Sequence, residues 1–210
     1  MNLLPYDLPD AGLLYPSNGD AGRACVFVPE RVLVVIGKGS DPELEVHADT
    51  VLRDEVPVLR RGTGGCAVVL APTMLVVAFA LYETEQGKSS DYFRAFNDMI
   101  IRSLEELGIS DIVQAGISDI ARHGRKIAGS ALYRNKTTIF YHAVINLSSG
   151  TSLMERYLKH PPRTPDYREN RSHEDFVTSL AAEGFVIDTE LFREKVEVEF
   201  RTYLQKAHAA

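Results

Sequence analysis

Two short glycine-rich segments hold the residues whose types and spacing could do chemistry. The first, Arg60-Arg61-Gly62-Thr63-Gly64-Gly65-Cys66, sets two guanidinium groups on a loop with three glycines. Without side-chain bulk, backbone N–H groups can approach a phosphate or carboxylate closely, and arginines can grip such an anion through two parallel charge-assisted hydrogen bonds. A hairpin turn with solvated arginines is the bland alternative. The second segment, Gly124-Arg125-Lys126-Ile127-Ala128-Gly129-Ser130-Ala131, places a lysine between two glycines and beside apolar neighbours. Such a lysine can serve as a fixed positive charge for an oxygen that becomes more negative in a transition state. Its bland alternative is a surface lysine in a turn.

Other chemical patterns nearly form and fail on one residue each. GKSS at 87–90 has Tyr82 where a phosphate loop needs glycine, and GKGSDP at 37–42 has Pro42 where a dinucleotide fingerprint needs its third glycine. His173-Glu174 lacks the second histidine of a zinc-protease helix, and GISDI at 116–120 ends in isoleucine where a nucleophile elbow needs glycine. Cys25 and Cys66 are the only cysteines and form no CxxC pair, so thiols alone cannot bind zinc. Cys25 lies in an apolar strand and reads as core. Cys66 reads either as packing or as a thiol beside arginines. His123, next to Gly124, could meet a phosphate or be solvated, and His142 could make a core hydrogen bond or enter a site.

The elements that must position these residues follow from periodicity. Alternating and β-branched runs predict strands at 24–29, 31–37, 66–72, 74–82, 112–121 and 137–147, with 124–136 as a turn and part of a strand. Ser89 and Ser90 are suitable N-caps for an amphipathic helix in which Phe93, Phe96, Ile100, Leu104 and Leu107 share a face until Gly108 ends it. Helices are expected at 152–159, 173–184 and 189–207, the last capped by Asp188. The stretch 160–172, with three prolines and Arg163, Arg168 and Arg171, reads as a solvated basic loop, with contact to an acidic partner as the alternative. The fold class is therefore α+β, a central mixed or antiparallel sheet flanked by helices.

At 210 residues and 45% hydrophobic composition, one domain over 1–210 with a full core is expected. A net charge of −6 argues against nucleic-acid or anionic-membrane partners. The N-terminal residues lack the basic start and apolar run of a signal peptide, and the most apolar segment, 74–81, is about half a membrane span. A reducing cytoplasm is the expected location.

The paired segments resemble the family of lipoate-protein ligases, octanoyl transferases and biotin ligases, which carry an RRxTGGGAV-like loop and a later GrKisGSA-like lysine segment. The resemblance runs from about Val34 to about Leu180 and includes YHAVINL at 141–147, similar to the family's histidine-containing strand. It implies a class II synthetase-like catalytic domain, most like that of a lipoate-protein ligase. ATP would activate lipoate or octanoate to an acyl-adenylate, and the acyl group would pass to a lysine of an apo lipoyl carrier domain. Lys126 would hold the acyl carbonyl and the linking phosphate oxygen. Arg60, Arg61, Thr63, Gly64, Gly65 and Cys66 would line the acyl-adenylate together with Gly129, Ser130 and His142. Asp119 would orient Lys126 or a magnesium ion, and the apolar tail would lie near Val35, Val68 and Ala78, three residues that otherwise read as core. Many family members carry a C-terminal accessory domain for which this chain has no room, which implies that it works alone or with a separate accessory protein.

Departures from the family pattern keep other readings open. Cys66 stands where the family has a third glycine, and Val69-Leu70-Ala71-Pro72 replaces a histidine-containing segment. The transferase branch carries a catalytic cysteine upstream of the lysine segment, whereas this chain has VQAGISDI there; a thioester route needs a thiolate, so this counts against transfer without ATP. A noncatalytic lipoyl-binding member is a third reading. Biotin ligase is weaker, because GRKIAGSA looks more lipoate-like.

Overall fold

A computed structural model describes residues 2–17, 19–82, 87–160 and 165–209. In chain order they form β1 (Leu3–Pro5), β2 (Gly22–Phe27), β3 (Leu33–Ile36), α1 (Pro42–Glu45), α2 (Ala48–Arg53), β4 (Val58–Arg60), β5 (Val68–Leu70), β6 (Met74–Tyr82), α3 (Ser89–Glu105), β7 (Ile112–Ala115), β8 (Asp119–Arg122), β9 (Arg125–Arg134), β10 (Thr138–Asn146), α4 (Ser152–Tyr157), α5 (His173–Phe176) and α6 (Thr189–Ala209). A 3-10 turn over Ala11–Leu14 follows β1.

The strands build two sheets, not one. An antiparallel six-stranded sheet runs β2-β6-β10-β9-β8-β7, and a smaller mixed sheet runs β1-β4-β3-β5. Within the smaller sheet β1 and β3 both pair parallel to β4, while β5 pairs antiparallel to β3. The α+β expectation holds.

Alternation along β6 and β10 divides the core. Val77, Phe79, Leu81, Tyr141 and Ala143 face α3 and α6, where Phe79 stacks on Phe96 at 5.2 Å and on Phe200 at 5.0 Å between ring centroids. On the opposite face Val76 and Val144 pack against Leu33, Val35 and Leu59 of the smaller sheet. The far side of that sheet, with Val34, Ile36 and Val69, is covered by Val46, Val51 and Tyr157 from the short helices and their flanks.

Local expectations meet the structure unevenly. Lys88 takes the N-cap position of α3 and neither serine caps it, since the chain turns helical one residue earlier than read. Gly108 ends the run at φ 85°, and Asp188 accepts from the N–H groups of Glu190 and Leu191 at the start of α6, as expected. The stretch 112–121 is two strands folded back on each other, because Gly116 at φ 57° breaks it. The helix expected over 173–184 stops at Phe176; Val177 pairs with Lys126 instead, and Thr178 N–H donates to the Lys126 carbonyl. Arg168 is buried over the Phe176 ring, and the half-buried Arg171 also lies over that ring, so these two are packed rather than free in a solvated loop. Arg163 lies outside the described residues. Among the described residues no helix is long and apolar enough to cross a membrane.

Candidate active site

Lys126 owes its place to an irregular hairpin. His123 and Gly124, both at positive φ, form the two-residue turn between β8 and β9. Beyond it Lys126 pairs with Ala121 while Ala128 pairs with Ile120, so Ile127 is an extra residue and sinks into the helix-side core. The lysine side chain then lies over Gly129 on the face turned toward the smaller sheet. A Cβ at position 129 would stand 2.6 Å from Nζ and 2.7 Å from Cε. Glycine is therefore needed under the lysine.

Asp119, the cross-strand partner of Gly129, is the counter-charge. Its Oδ1 is 2.8 Å from Lys126 Nζ, and its Oδ2 accepts a 2.9 Å hydrogen bond from Tyr167 Oη. Burial and the neighbouring carboxylate raise the Tyr167 pKa, so the phenol stays protonated and donates. Tyr167 is held by its ring against Phe176, and its carbonyl accepts from Arg171 at 2.6 Å. With an ammonium and a hydroxyl donor on its two oxygens, Asp119 does not fit the magnesium role read from the sequence. Among the described residues no three His, Cys, Asp or Glu side chains gather to hold a metal.

The glycine loop between β4 and β5 is braced from within. Arg61 is buried and gives hydrogen bonds to the carbonyls of Gly64 (3.0 and 2.8 Å), Cys66 (2.9 Å) and Val35 (3.4 Å). Burial lowers its pKa from the ordinary arginine value. Arg60 Nη1 reaches the carbonyls of Gly37, Lys38 and Ser40, Lys38 N–H donates to the Thr63 carbonyl, and Ser40 Oγ donates to the Gly65 carbonyl. The two guanidinium groups thus tie the 37–40 and 61–66 loops together, a role the sequence reading did not contain. Gly65, at φ 99°, faces Ala131, since a Cβ there would meet the Ala131 Cβ at 3.5 Å. The loop consequently stands over β9 at Ala131, two residues along the strand from the Gly129 that underlies Lys126. Thr63 is buried, with no hydrogen-bond partner for Oγ1 among the described residues.

Ser130 does not join this arrangement, and the expectation is corrected. Successive strand residues point to opposite faces, so the neighbour of Gly129 turns away. Its cross-strand partner Ala143 is in the helix-side core, and its Oγ donates to the Ser118 carbonyl at 2.6 Å. His142, paired with Ala131 and Ala78, does lie on the site face. Val35 and Val68 pair on the smaller sheet opposite that face, and Ala78 is buried on it. Cys25 pairs with Ala78, and burial pushes its thiol up to about 11. His123 sits in the exposed turn, 3.4 Å from Glu183.

Three residues here escaped sequence reasoning. Tyr6 and Asp10 come from the N-terminal segment, and Tyr167 from the arginine-rich loop. Tyr6 Oη donates to Asp10 Oδ1 at 2.7 Å, and Asp10 Oδ2 lies 3.6 Å from His142 Nδ1. Only the short spacing of Tyr6 and Asp10 around a proline-containing turn hinted at a local pair.

Comparison with known proteins gives a consistent match. Residues 12–201 match the family described as the lipoyl protein ligase A/B catalytic domain. The chain is 25% identical over 179 residues to lipoate-protein ligase LplJ of Bacillus subtilis, covering 85% of this chain and 51% of that protein. It is 28% identical over 137 residues to lipoate–protein ligase 1 of Staphylococcus aureus, covering 65% of this chain and 41% of that one. The chain thus spans about half the length, or less, of these curated relatives. In fold it is similar to the bi-partite lipoate protein ligase of Thermoplasma acidophilum, solved in a study with its E2 lipoyl domain, at TM-score 0.78 and 21% identity, over 97% of this chain and 83% of that one. A lipoate-protein ligase A bound with ATP matches at TM-score 0.77 and 20% identity, over 97% and 85% of the two chains.

Proposed function

The chain belongs to the lipoyl protein ligase A/B catalytic-domain family, and from that membership we propose that it activates lipoate or octanoate with ATP and passes the acyl group to a lysine of a lipoyl carrier domain. The observation that carries this reading is Lys126 lying over Gly129 and paired with Asp119, on the strand whose Ala131 sits under the glycine loop. The names of the relatives support lipoate, and the ATP-bound neighbour supports ATP.

In the first step a carboxylate oxygen of the acid attacks the α-phosphorus of ATP, forming the acyl-adenylate and releasing pyrophosphate. Lys126 offers one ammonium to the carbonyl oxygen and to the oxygen linking carbonyl and phosphate. Asp119 and Tyr167 hold that ammonium in place. The loop around Thr63, Gly64, Gly65 and Cys66, kept open by Arg60 and Arg61, lines the acyl-adenylate. Apolar residues such as Val35, Val68 and Ala78 accommodate the tail. In the second step the carrier lysine amine attacks the carbonyl carbon, AMP leaves with the bonding pair, and the new amide sheds a proton. A fixed positive charge helps both steps: in the first it offsets the negative charge of the carboxylate and α-phosphate that must approach each other, and in the second it faces the carbonyl oxygen, which gains charge as the amine attacks. The archaeal neighbour is described as bi-partite, which supports a separate accessory protein as a partner, with action alone as the alternative.

The test mixes the protein with lipoate or octanoate, ATP, magnesium and an apo lipoyl domain, and reads the intact mass of that domain. A mass gain that requires ATP and is lost in Lys126→Ala supports the ligase. A gain from an octanoyl-carrier without ATP, abolished by Cys66→Ser, replaces it with thioester transfer.

A further inference from the structure

Asp10 is wholly buried, yet only half of its carboxylate has a normal hydrogen bond. Oδ1 accepts from Tyr6 at 2.7 Å, whereas Oδ2 has no hydrogen-bond partner among the described residues and faces His142 Nδ1 at 3.6 Å. A buried carboxylate with a spare oxygen costs several kcal/mol unless a donor or cation compensates it. Here the compensating groups are the imidazole and the nearby Arg61 guanidinium, with the Tyr6 phenol and Cys25 thiol as the other titratable neighbours.

His142 keeps 15% of its side-chain exposure while Asp10 keeps none. The exposed edge of the ring is therefore the one away from the carboxylate. The Phe140 ring stands against the imidazole edge-on at 5.2 Å and limits its rotation. His142 shares its face with its strand partners Ala78 and Ala131, and Ala131 lies beneath Gly65 of the glycine loop.

We propose that Asp10, pinned by Tyr6, is a positioning residue that accepts the Nδ1 proton of His142 and turns the opposite ring edge toward the acyl group under the glycine loop. Fixing one ring nitrogen with a carboxylate fixes the tautomer, so Nε2 is left as an acceptor. Tyr6 and Asp10 flank a turn in a segment with no strand of the larger sheet, so the histidine is set from outside its own sheet. The acyl contact rests on the ligase reading above; the Asp10–His142 arrangement does not.

The experiment has two arms. In protein labelled with 15N-histidine, the His142 resonances should report a protonated Nδ1 and a bare Nε2. A bare Nδ1 would overturn the proposal, whether or not the protein is a ligase. In the second arm, calorimetry without ATP measures lipoate and octanoate binding. Asp10→Asn and His142→Gln should each weaken acyl binding about tenfold, and the double variant should be no weaker than His142→Gln alone, because the first residue acts through the second. Losses that multiply, or wild-type affinity in a folded Asp10→Asn protein, would overturn it. If the wild-type protein binds neither acid, the acyl half is overturned together with the ligase reading, and the labelled histidine still decides the positioning half.

Discussion

Lys126 Nζ and Asp119 Oδ1 are 2.8 Å apart across the β8–β9 hairpin, and the absence of a side chain at Gly129 is what lets them meet. Any Cβ at 129 would displace the far end of a flexible lysine, not backbone. Gly129→Ala should therefore leave the fold intact, with a melting temperature within a few degrees of the parent, while costing on the order of a hundredfold in acyl-adenylate formation, as for loss of one transition-state donor. Pyrophosphate release with lipoate and ATP reads it. Full activity with alanine at 129 would remove Lys126 from the proposed chemistry.

Tyr167 reaches the lysine through Asp119. Tyr167→Phe keeps the ring on Phe176 but frees Asp119 Oδ2, so the lysine is held less firmly. A three- to tenfold fall in kcat with little change in the KM for lipoate is expected, consistent with a lost hydrogen bond of about 1 kcal/mol. An unchanged kcat would mean that the Tyr167 bond serves the loop alone.

Strong local periodicity made α3, β6 and β10 legible in the sequence, and the two glycine segments could be read because their residue types are unusual together. The smaller sheet was not. Its β1 and β3 pair in parallel through β4, with β1 and β4 more than fifty residues apart in sequence, and short-range patterning carries no signal for such pairing. Asp10 reads as a turn residue in DLPDAG, and only the tertiary fold buries it beside His142. Ser130 misled for the opposite reason: it lies inside the motif, but strand alternation sends it to the helix side. Arg168 and Arg171 looked solvated because proline spacing hides their stacking on Phe176.

Arg61 tests whether the glycine loop is shaped by its own arginine. Its planar fork reaches Gly64 and Cys66 together, a geometry that a lysine's single ammonium cannot reproduce. Arg61→Lys should lower stability by about 1–2 kcal/mol in urea unfolding, since the part-buried hydrogen bonds to the Gly64 and Cys66 carbonyls are lost. It should also raise the KM for ATP if the loop lines the adenylate. Unaltered stability would show that the loop keeps its shape without the fork.

Glu183 links the segment after α5 to the β8–β9 hairpin and should govern acid sensitivity. Burial works against its charge, but hydrogen bonds from Thr178 and from Arg122 at 2.8 Å, with the Arg122 and His123 charges, hold its carboxyl below the usual value of 4.5. A depressed carboxylate pKa means that the unfolded chain binds the proton more readily. The brace therefore contributes fully above about pH 4.5, and its contribution declines as pH falls toward the folded-state value. Glu183→Gln should cost about 1–2 kcal/mol at pH 7, and its stability deficit against the parent should shrink as both are taken to pH 3. Urea unfolding at half-unit pH steps measures that difference. A deficit constant across the range would show that the Glu183 charge contributes nothing to the hairpin that carries Lys126.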